Sequence, residues 1–221
     1  MNAASFAEHG FVLVPDLLAK DECAAVSKEL EAASSVSGGT RTLLRETWCQ
    51  ELASLLRRRV PLVPQDFVAV QCTYFQKSTS QNWLVPIHQD LSIPVAARVE
   101  HARLTGWSDK EGTLYVQPPL SVLEALIAVR VHIDPCSLND GPLRVVPGSH
   151  RLGRVQPESA ADVRHRNGEI VCEAASGSAL ALRPLLLHSS SKSSGTGLRR
   201  VLHFLFGPAV LPLRLEWRDA V

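Results

Sequence analysis

The sequence lacks an excess of charge of either sign. Its 23 Lys and Arg residues are matched by 22 Asp and Glu residues, which leaves a formal net charge of +1. Proteins that bind nucleic acids or anionic membrane surfaces usually carry a much stronger basic bias. The composition therefore argues against both as partners.

The sequence also lacks paired cysteines and a membrane-spanning run. Its five cysteines are widely scattered, and none stands in a Cys-x-x-Cys pair, so neither a zinc knuckle nor a disulfide framework is indicated. No stretch approaches the roughly 20 consecutive apolar residues of a transmembrane helix. Residues 1–10 do not show the basic and apolar segments of a signal peptide. We therefore expect reduced thiols and a cytoplasmic protein.

The chain of 221 residues is long enough to bury a hydrophobic core and fits one domain. Its first part, 1–65, predicts a short strand near 10–15 and two amphipathic helices near 20–34 and 46–59. Asp16 stands where an N-cap of the first helix is expected.

From residue 66 to about 210 the pattern predicts strands separated by Gly, Pro, Asn and Ser turns. Many short strands with such spacing favour a β-sandwich or barrel over a parallel sheet. The long, weakly patterned segment 91–112 is a candidate lid over a site. The strands are expected near 67–76, 83–88, 113–117, 122–133, 142–146, 169–173, 178–183, 185–188 and 199–206.

The main chemical motif is His88-Gln89-Asp90. On an extended strand, side chains at positions i and i+2 point to the same face, so His88 and Asp90 are expected to share one pocket. His188, at the end of a later apolar run, is the candidate third group. Two histidines and one carboxylate are the ligand set of the non-haem Fe(II) oxygenases.

Four segments together resemble the phytanoyl-CoA dioxygenase family of Fe(II)- and 2-oxoglutarate-dependent oxygenases. They are the opening strand at 6–15, the His-x-Asp motif at 86–91 and the Asn-Asp-Gly to Pro-Gly-Ser-His block at 139–150. The fourth is His188 followed by Arg199 at an interval of eleven residues. The His-x-Asp motif alone recurs by chance, but the four in this order are specific.

The resemblance implies a mainly β fold, a double-stranded β-helix (a cupin-like jelly roll) with N-terminal helices packed on the outside. It implies Fe(II) held by the catalytic residues His88, Asp90 and His188, with 2-oxoglutarate and O2 as cosubstrates. It further implies that Arg199 and Ser190 bind the distal carboxylate of 2-oxoglutarate. The expected reaction is hydroxylation of an unactivated C–H bond of a small-molecule substrate, with release of succinate and CO2.

Asp90 also bears on the type of reaction. Related halogenases replace this carboxylate with a small residue, so that a halide can bind the iron. The carboxylate at position 90 therefore favours hydroxylation, or another oxidation such as desaturation, over halogenation.

The sequence departs from the family in one turn. Family members often place an asparagine between the distal histidine and the arginine, and here the serine-rich stretch 189–197 occupies that position. The conformation of this turn is therefore not predicted.

Two other histidines compete as metal ligands. His132-Ile133-Asp134 is a second His-x-Asp sequence, but too few strands separate it from His188 and it lacks the family context. The simpler interpretation is that His132 is a buried histidine or one that faces the substrate. His150 belongs to the Pro-Gly-Ser-His block, in which the resemblance implies a structural role in the turn.

Arg199 and Arg200 are adjacent, so on a strand they face opposite sides. Position 200 shares a face with Leu202, Phe204 and Phe206, which suits packing under the N-terminal helices. Position 199 shares a face with Val201 and His203, which suits a polar interior. We therefore assign the carboxylate-binding role to Arg199, whose planar fork matches a carboxylate.

Several further residues are candidate contacts. Gln71 and Lys77 could face the cosubstrate or serve a structural role, and Ser190 could donate to the carboxylate or stabilise the turn. Arg98, Arg103 and Lys110 suggest a substrate that carries a carboxylate or another anion. The candidate substrate-binding residues are Trp83, Arg98, Trp107, Arg130 and His132.

A second hypothesis is a cupin-like protein, or an isomerase, that binds a metal or small ligand without redox chemistry. The two architectures are the same, and fold does not fix function. Arg199 separates the hypotheses, because a simple metal binder does not need an arginine at that position.

Overall fold

The computed structural model describes residues 3–32 and 39–221. Its helices are α1 (Ala3–His9), α2 (Lys20–Ala32), α3 (Thr47–Arg59), α4 (Leu120–Ala125) and α5 (Ala160–Asn167). Its strands are β1 (Phe11–Val14), β2 (Gly39–Thr40), β3 (Phe67–Lys77), β4 (Val85–His88), β5 (Ile93–Val95), β6 (Thr105–Lys110), β7 (Thr113–Gln117), β8 (Ile127–His132), β9 (Leu143–Val145), β10 (Ile170–Cys172), β11 (Ala179–Leu182), β12 (His188–Ser190) and β13 (Arg199–Pro208).

The strands pair antiparallel in three sheets. The largest has the order β1-β11-β8-β13-β3-β2, the second has the order β10-β9-β12-β4, and the smallest has the order β5-β7-β6. Residues from the first two sheets line one interior cavity. This is the arrangement of a jelly roll, and the predicted fold class is confirmed.

Strand β13 shows how the sequence builds this fold. Leu202, Phe204 and Phe206 are fully buried in one cluster with residues of α2 and α3, such as Leu30 and Leu56. The alternate residues of β13 face the jelly-roll interior, because successive side chains of a strand point to opposite faces. One face of the strand thus anchors the outer helices, and the other forms a wall of the cavity.

The N-terminal segment belongs to the same sheet. Strand β1 pairs with β11 along the register from Phe11↔Leu182 to Val14↔Ala179. Helices α2 and α3 pack on the outer face of this sheet through the core cluster that contains Leu52 and Val131. Among the helices of residues 3–32 and 39–221, none has the length and apolar character that a membrane crossing requires.

The expectation of a strand over 122–133 was wrong in its first half. The chain forms helix α4 there and enters β8 only at Ile127. The stretch is apolar without a clear period, and Val122 and Leu123 are both buried. A short apolar run of this kind does not distinguish a buried helix from a buried strand.

Two other expectations at element ends also need correction. Helix α2 starts at Lys20, and Asp16 has a φ of +49° in a turn instead of capping it. The Glu22 carboxylate accepts the backbone N–H of Ala19 in its place, at 2.8 Å. The strand predicted at 185–188 begins at His188, and positions 33 and 34 of the predicted first helix lie outside the described residues.

The segment 91–112 is not a structureless loop. It contains β5 and β6, which pair with the two sides of β7. Val95 makes an isolated bridge with Trp217, so the C-terminal segment also packs on this small sheet. The hydrophobic pattern of this segment is weak because every position of β6 is either exposed or half-buried.

Candidate active site

The two histidines of the predicted ligand set lie on neighbouring strands. His88 ends β4 and His188 begins β12, and the two are direct partners in the antiparallel register. Their ring centroids are 4.3 Å apart. Asp90 follows just beyond β4, and one ligand atom from each of the three residues lies within 4.8 Å of the others. The structure therefore brings these three side chains together.

Backbone carbonyls orient both imidazoles. Nδ1 of His88 lies 2.8 Å from the Pro86 carbonyl oxygen, and Nδ1 of His188 lies 2.8 Å from that of Leu186. A carbonyl only accepts hydrogen bonds, so each Nδ1 must donate a proton. Each Nε2 then carries a free lone pair, and each lies 3.7 Å from a carboxylate oxygen of Asp90. Metal-binding histidines are usually fixed in this way.

The electrostatics favour an ionised carboxylate at the centre. Burial alone would raise the pKa of Asp90, but His188, His88 and His203 outweigh it and hold the pKa well below its usual value. Burial lowers the pKa of His88 too, but the contact with Asp90 outweighs this and raises it above the ordinary value. Burial lowers the pKa of His188. Two imidazole nitrogens and one carboxylate, all able to bind without a proton, fit a divalent first-row metal ion.

Residues between and before the ligands fix their backbone. The Gln89 side chain points away from Asp90 and donates to the Leu185 carbonyl at 2.6 Å, which ties β4 to the segment before His188. Its oxygen accepts the N–H of Val155 at 2.8 Å. The N–H of Asp90 itself donates to the Pro184 carbonyl at 2.9 Å. The segments that carry Asp90 and His188 are thus joined by hydrogen bonds.

Ser149 of the Pro-Gly-Ser-His block performs a similar task. Its hydroxyl donates to the Val146 carbonyl at 2.7 Å and accepts the N–H of Leu187 at 2.9 Å. It therefore holds the residue immediately before His188. His150 contacts the Ala7 carbonyl at 3.2 Å through Nε2 and lies away from the ligand set. Its position against α1 agrees with a role in the turn.

The second His-x-Asp sequence does not form a site of this kind. Both carboxylate oxygens of Asp134 accept hydrogen bonds from Arg200, each at 2.9 Å. His132 is 1% exposed, and burial lowers its pKa to about 3. The prediction that Arg200 faces away from the interior agrees with this pairing.

A cavity of about 500 Å³ opens beside the ligand set. Seven of the predicted contacts line it: Gln71, Lys77, Trp83, Lys110, Arg130, Ser190 and Arg199. Asp90 is the single acidic residue among the lining residues that the structure describes, whereas Arg41, Lys77 and Lys110 are basic lining residues as well. The cavity is therefore cationic.

Lys77 and Arg199 meet at one end of the cavity. They are partners in the β3–β13 register, and both reach Gly141. Arg199 donates to the Gly141 carbonyl at 2.6 Å. The Lys77 ammonium donates to the Ser190 hydroxyl at 3.0 Å and to the Ser191 carbonyl at 2.6 Å. This end can bind a carboxylate.

The serine-rich turn has partners that replace the missing family asparagine. The side chain of Asn82 accepts the N–H of Ser193 at 2.8 Å and donates to the carbonyl of the same residue at 2.6 Å. The carbonyl of Asn139 accepts the N–H groups of Ser194 and Gly195, at 2.8 and 2.9 Å. The turn is thus held by two asparagines that lie elsewhere in the sequence.

Three predicted substrate contacts do not line the cavity. Arg98 is exposed, pairs with Glu100 at 2.9 Å and lies over the ring of Trp107, with its guanidinium carbon 5.2 Å from the ring centroid. Trp107 itself packs against the apolar interior. His132 is buried and is not among the residues that line the cavity. Arg103, one of the residues that suggested an anionic substrate, is exposed and also does not line the cavity.

Sequence reasoning missed the role of His203. Its Nε2 lies 3.8 Å from Asp90 Oδ2, and its Nδ1 is buried without a hydrogen-bond partner. Burial lowers its pKa to about 4, so it is neutral near pH 7. The alternation along β13 placed His203 on the interior face, and this was the available signal. The distance to Asp90 depends on a strand pairing that the sequence does not show.

Comparison with known proteins gives the same architecture. A family model described as phytanoyl-CoA dioxygenase matches residues 6–201. No curated protein sequence matches the chain. Among solved structures, the apo form of EctD from S. alaskensis is similar, with a TM-score of 0.72, 18% identity, and coverage of 98% of this chain and 79% of that chain.

Two other solved structures are also similar. The non-heme alpha ketoglutarate dependent epimerase SnoN from nogalamycin biosynthesis has a TM-score of 0.69 and 15% identity, over 94% of this chain and 81% of that chain. HygX from Streptomyces hygroscopicus, with nickel and 2-oxoglutarate bound, has a TM-score of 0.64 and 17% identity, over 100% and 98%. At these identities the likeness concerns the fold.

Proposed function

Because this chain belongs to the phytanoyl-CoA dioxygenase family, we propose that it is an Fe(II)- and 2-oxoglutarate-dependent dioxygenase. Its reaction would be hydroxylation of an unactivated C–H bond of a small molecule, with release of succinate and CO2. The observation that carries this proposal is the convergence of His88, Asp90 and His188 beside a cationic cavity. Fold relatives described with bound Fe, or with Fe3+ and alpha ketoglutarate, support it.

The three convergent residues would hold the metal on one side. The fixed Nδ1 protons of His88 and His188 leave Nε2 free for the ion, and the ionised Asp90 supplies a negative charge. Fe(II) bound with 2-oxoglutarate and O2 supplies the oxidising chemistry, while the protein binds, orients and shields the reactants. Arg199 and Ser190, at the Lys77 end of the cavity, would bind the distal carboxylate of 2-oxoglutarate. Gln71 is already bonded to Thr73 and Tyr115, so it would shape this wall instead of binding the cosubstrate with a free amide.

The type of oxidation is the finer part of the proposal. The presence of Asp90 favours hydroxylation over halogenation, because the carboxylate takes the position that a halide would need. Fold relatives described as an epimerase and a carbocyclase show that this fold also supports other outcomes. Mass spectrometry separates three classes of outcome: hydroxylation adds one oxygen atom to the product, desaturation and oxidative ring closure each remove two hydrogen atoms, and epimerisation leaves the mass unchanged.

We further propose an anionic substrate, with Lys110 as its contact. The Lys110 ammonium lies over the ring of Tyr115, 4.7 Å from its centroid, and has no ion-pair partner in the part of the chain that is described. Arg41 lines the same region, but its guanidinium is paired with Glu111 at 2.7 Å. Lys110 is therefore the free cation on this side of the metal ligands, whereas Arg98 and Arg103 lie outside the cavity.

The whole chain, 1–221, would act as one oxygenase domain. Strands β1 and β2 from the segment 1–65 belong to the same sheet as β8 and β13, which carry cavity residues. The segment 91–112 contributes Leu91, Ser92 and Lys110 to the lining and is proposed to cover bound substrate.

The function is tested by loading the protein with Fe(II) under nitrogen, adding 2-oxoglutarate and then admitting air. We expect succinate, and we expect it to disappear in His88→Ala and to fall sharply in Arg199→Ala. His101→Ala is the matched control, because His101 is an exposed histidine outside the cavity. A wild-type protein that binds the metal but gives neither succinate nor a charge-transfer band with 2-oxoglutarate would indicate a non-redox metal-binding protein.

A further inference from the structure

We propose that Arg130 is a third cation of the cosubstrate site, so that Lys77, Arg130 and Arg199 together form a cation cradle for a dicarboxylate. This inference rests on the proposed function and extends it. It assigns to Arg130, which sequence reasoning placed among the substrate contacts, a role in binding the cosubstrate.

The three cations are all buried in the wall of one cavity. Lys77, Arg130 and Arg199 are 1%, 6% and 3% exposed. They come from β3, β8 and β13, which are neighbours in the large sheet. The acidic residue that lines the same cavity is Asp90, which belongs to the metal ligands. Buried charges normally have a partner, because taking an unpaired charge out of water is costly.

Arg130 has no such partner. No hydrogen bond or ion pair joins its guanidinium to any residue of 3–32 or 39–221, and its Nε is fully buried. Its guanidinium carbon lies 5.2 Å from the centroid of the Phe75 ring, which holds the group in place without neutralising it. An arginine carries five N–H donors, so a buried one without acceptors is arranged for a ligand.

Lys77 and Arg199 are oriented but not neutralised. Their hydrogen bonds go to the carbonyls of Ser191 and Gly141 and to the Ser190 hydroxyl, which are all uncharged groups. The Nε of Arg199 is buried without a partner, as is that of Arg130. The three side chains therefore present unused donors and three unbalanced charges to the cavity.

The position of Arg130 links the two ends of the site. In the sheet register Arg130 lies opposite His203, whose ring approaches Asp90. Its guanidinium packs on the ring of Phe75. In the sheet register Phe75 is paired with Val201, which lies between Arg199 and His203 along β13. Arg130 therefore lies between the ligand set and the Lys77–Arg199 pair, along the path that a dicarboxylate bound at both ends would occupy.

The charges explain why a dianion suits this cradle. Burial and the neighbouring Arg199 lower the pKa of Lys77 to about 8 and that of Arg130 to about 9, the direction expected for cations that lie close together without an anionic partner. One carboxylate would balance one of the three charges. A dicarboxylate would balance two of the three charges, and the Asp90 carboxylate would remain available to the metal. A monocarboxylate of the same length is therefore expected to bind much more weakly.

Binding of glutarate to the full chain tests the inference. Glutarate has the two carboxylates and the length of 2-oxoglutarate but no keto group. The probes are glutarate, 2-oxoglutarate and the monocarboxylate 2-oxopentanoate, measured by calorimetry with a chelator present and again with Fe(II) under nitrogen. Fluorescence of Trp83, whose ring centroid lies 5.6 Å from the Lys77 ammonium, gives a second readout.

Arg130→Met is expected to weaken glutarate binding by about 10- to 100-fold, the usual effect of losing hydrogen bonds to a charged group. Because the variant removes an unpaired buried charge, the Tm of the unliganded protein should be no lower than that of wild type. Arg200→Met is the matched control on the opposite face of β13. It removes the guanidinium that pairs with Asp134 and leaves that carboxylate with the backbone N–H of residue 200, so it should lower the Tm and leave glutarate affinity unchanged.

The outcomes separate this inference from the proposed function. If wild type bound neither glutarate nor 2-oxoglutarate under either condition, the proposed function itself would fail. If wild type bound both and Arg130→Met bound them equally well, only the role of Arg130 would be overturned. If Arg130→Met did not fold, the expectation for its Tm would be wrong, and glutarate binding would be measured with Arg130→Lys in its place. Arg130→Lys keeps the charge but lacks the planar fork. If Arg130→Met misfolded and Arg130→Lys bound glutarate as tightly as wild type does, Arg130 would have a structural role.

Discussion

At the scale of single residues, the spacing of residues along a strand predicted which side chains share a pocket. The chemistry that these side chains can perform depends on the distances between them in the folded protein. The interval between His88 and Asp90 placed both on one side of β4, and the structure adds His188 directly opposite. Their role as metal ligands is a proposal. The carbonyls of Pro86 and Leu186 that orient the rings were not predictable, because a backbone contact within two residues depends on the local bend of the chain.

The protonation of His88 leads to a pH prediction. Its pKa is raised above the ordinary value by Asp90, whereas burial lowers the pKa of His188. In the proposed metal site a proton and the metal ion would compete for the same Nε2, so His88 would be the ligand whose proton must leave. We expect the affinity for Mn(II) to rise as the pH increases through the His88 pKa and then to level off.

Calorimetric titration of Mn(II) at several pH values between about 5.5 and 8, the range in which histidine titrates, checks this. In His88→Ala the remaining affinity should be weak and much less dependent on pH in that range. A wild-type affinity that did not change over the range would mean that His88 does not bind the metal.

Gly141 gives a second prediction at the residue scale. Its φ is +63°, and a Cβ there would lie 2.5 Å from the Ser191 carbonyl oxygen and 3.2 Å from the Lys77 ammonium. Gly141→Ala should therefore be destabilised by about 2–5 kcal/mol, from backbone strain plus the clash. It should also weaken glutarate binding, because Lys77 and Ser191 must shift.

Gly112→Ala is the control for backbone strain alone. Gly112 has a φ of +69°, and no atom lies within 4 Å of the position that an added methyl group would take. Its substitution should cost about 1–2 kcal/mol of unfolding free energy and leave glutarate affinity unchanged. Equal stability losses in the two variants, with glutarate affinity intact in both, would show that the close approach at Gly141 is unimportant.

At the scale of elements, periodicity predicted some strands well and failed where burial removed it. β13 was predicted with its two faces correctly assigned, because Leu202, Phe204 and Phe206 share one face and His203 lies on the other. The stretch 122–133 was apolar throughout, so the change from α4 to β8 at Leu126 left no signal in the pattern. Strands β5 and β6 were missed for the opposite reason: β6 is largely exposed, and β5 is only three residues long.

The link between the Pro-Gly-Ser-His block and β12 is open to a direct test. Ser149 is fully buried, and its hydroxyl bonds both Val146 and the residue before His188. Ser149→Ala should cost about 1–3 kcal/mol, because the buried N–H of Leu187 loses its partner and the Val146 carbonyl keeps only the backbone N–H of residue 149. Metal affinity should fall as well, since His188 is then less firmly placed.

Chemical denaturation and Mn(II) titration measure the two effects of Ser149→Ala. Ser176→Ala serves as a comparison, since its hydroxyl also donates to a carbonyl, that of Ile133, but at an exposed position. The comparison variant should change stability little and leave metal binding unchanged. If Ser149→Ala lost stability but bound Mn(II) normally, Ser149 would support the fold without positioning His188.

At the scale of the whole molecule, the two facing sheets bring together side chains that no single sequence motif contains. Lys77 and Ser190 lie 113 residues apart in sequence and are joined by a 3.0 Å hydrogen bond across the cavity. The family resemblance predicted the fold, the ligand set and Arg199. It could not predict the isolation of Arg130, which depends on the absence of a carboxylate from the neighbouring strands that the structure describes.

The proposed function requires one ferrous ion to bind where β4 and β12 meet. Anomalous diffraction at the iron absorption edge, from crystals prepared with Fe(II) under nitrogen, would locate the ion. We expect a single strong peak within bonding distance of His88 Nε2, His188 Nε2 and an Asp90 carboxylate oxygen. A peak elsewhere, or iron-soaked crystals in which these three side chains bind nothing, would contradict it.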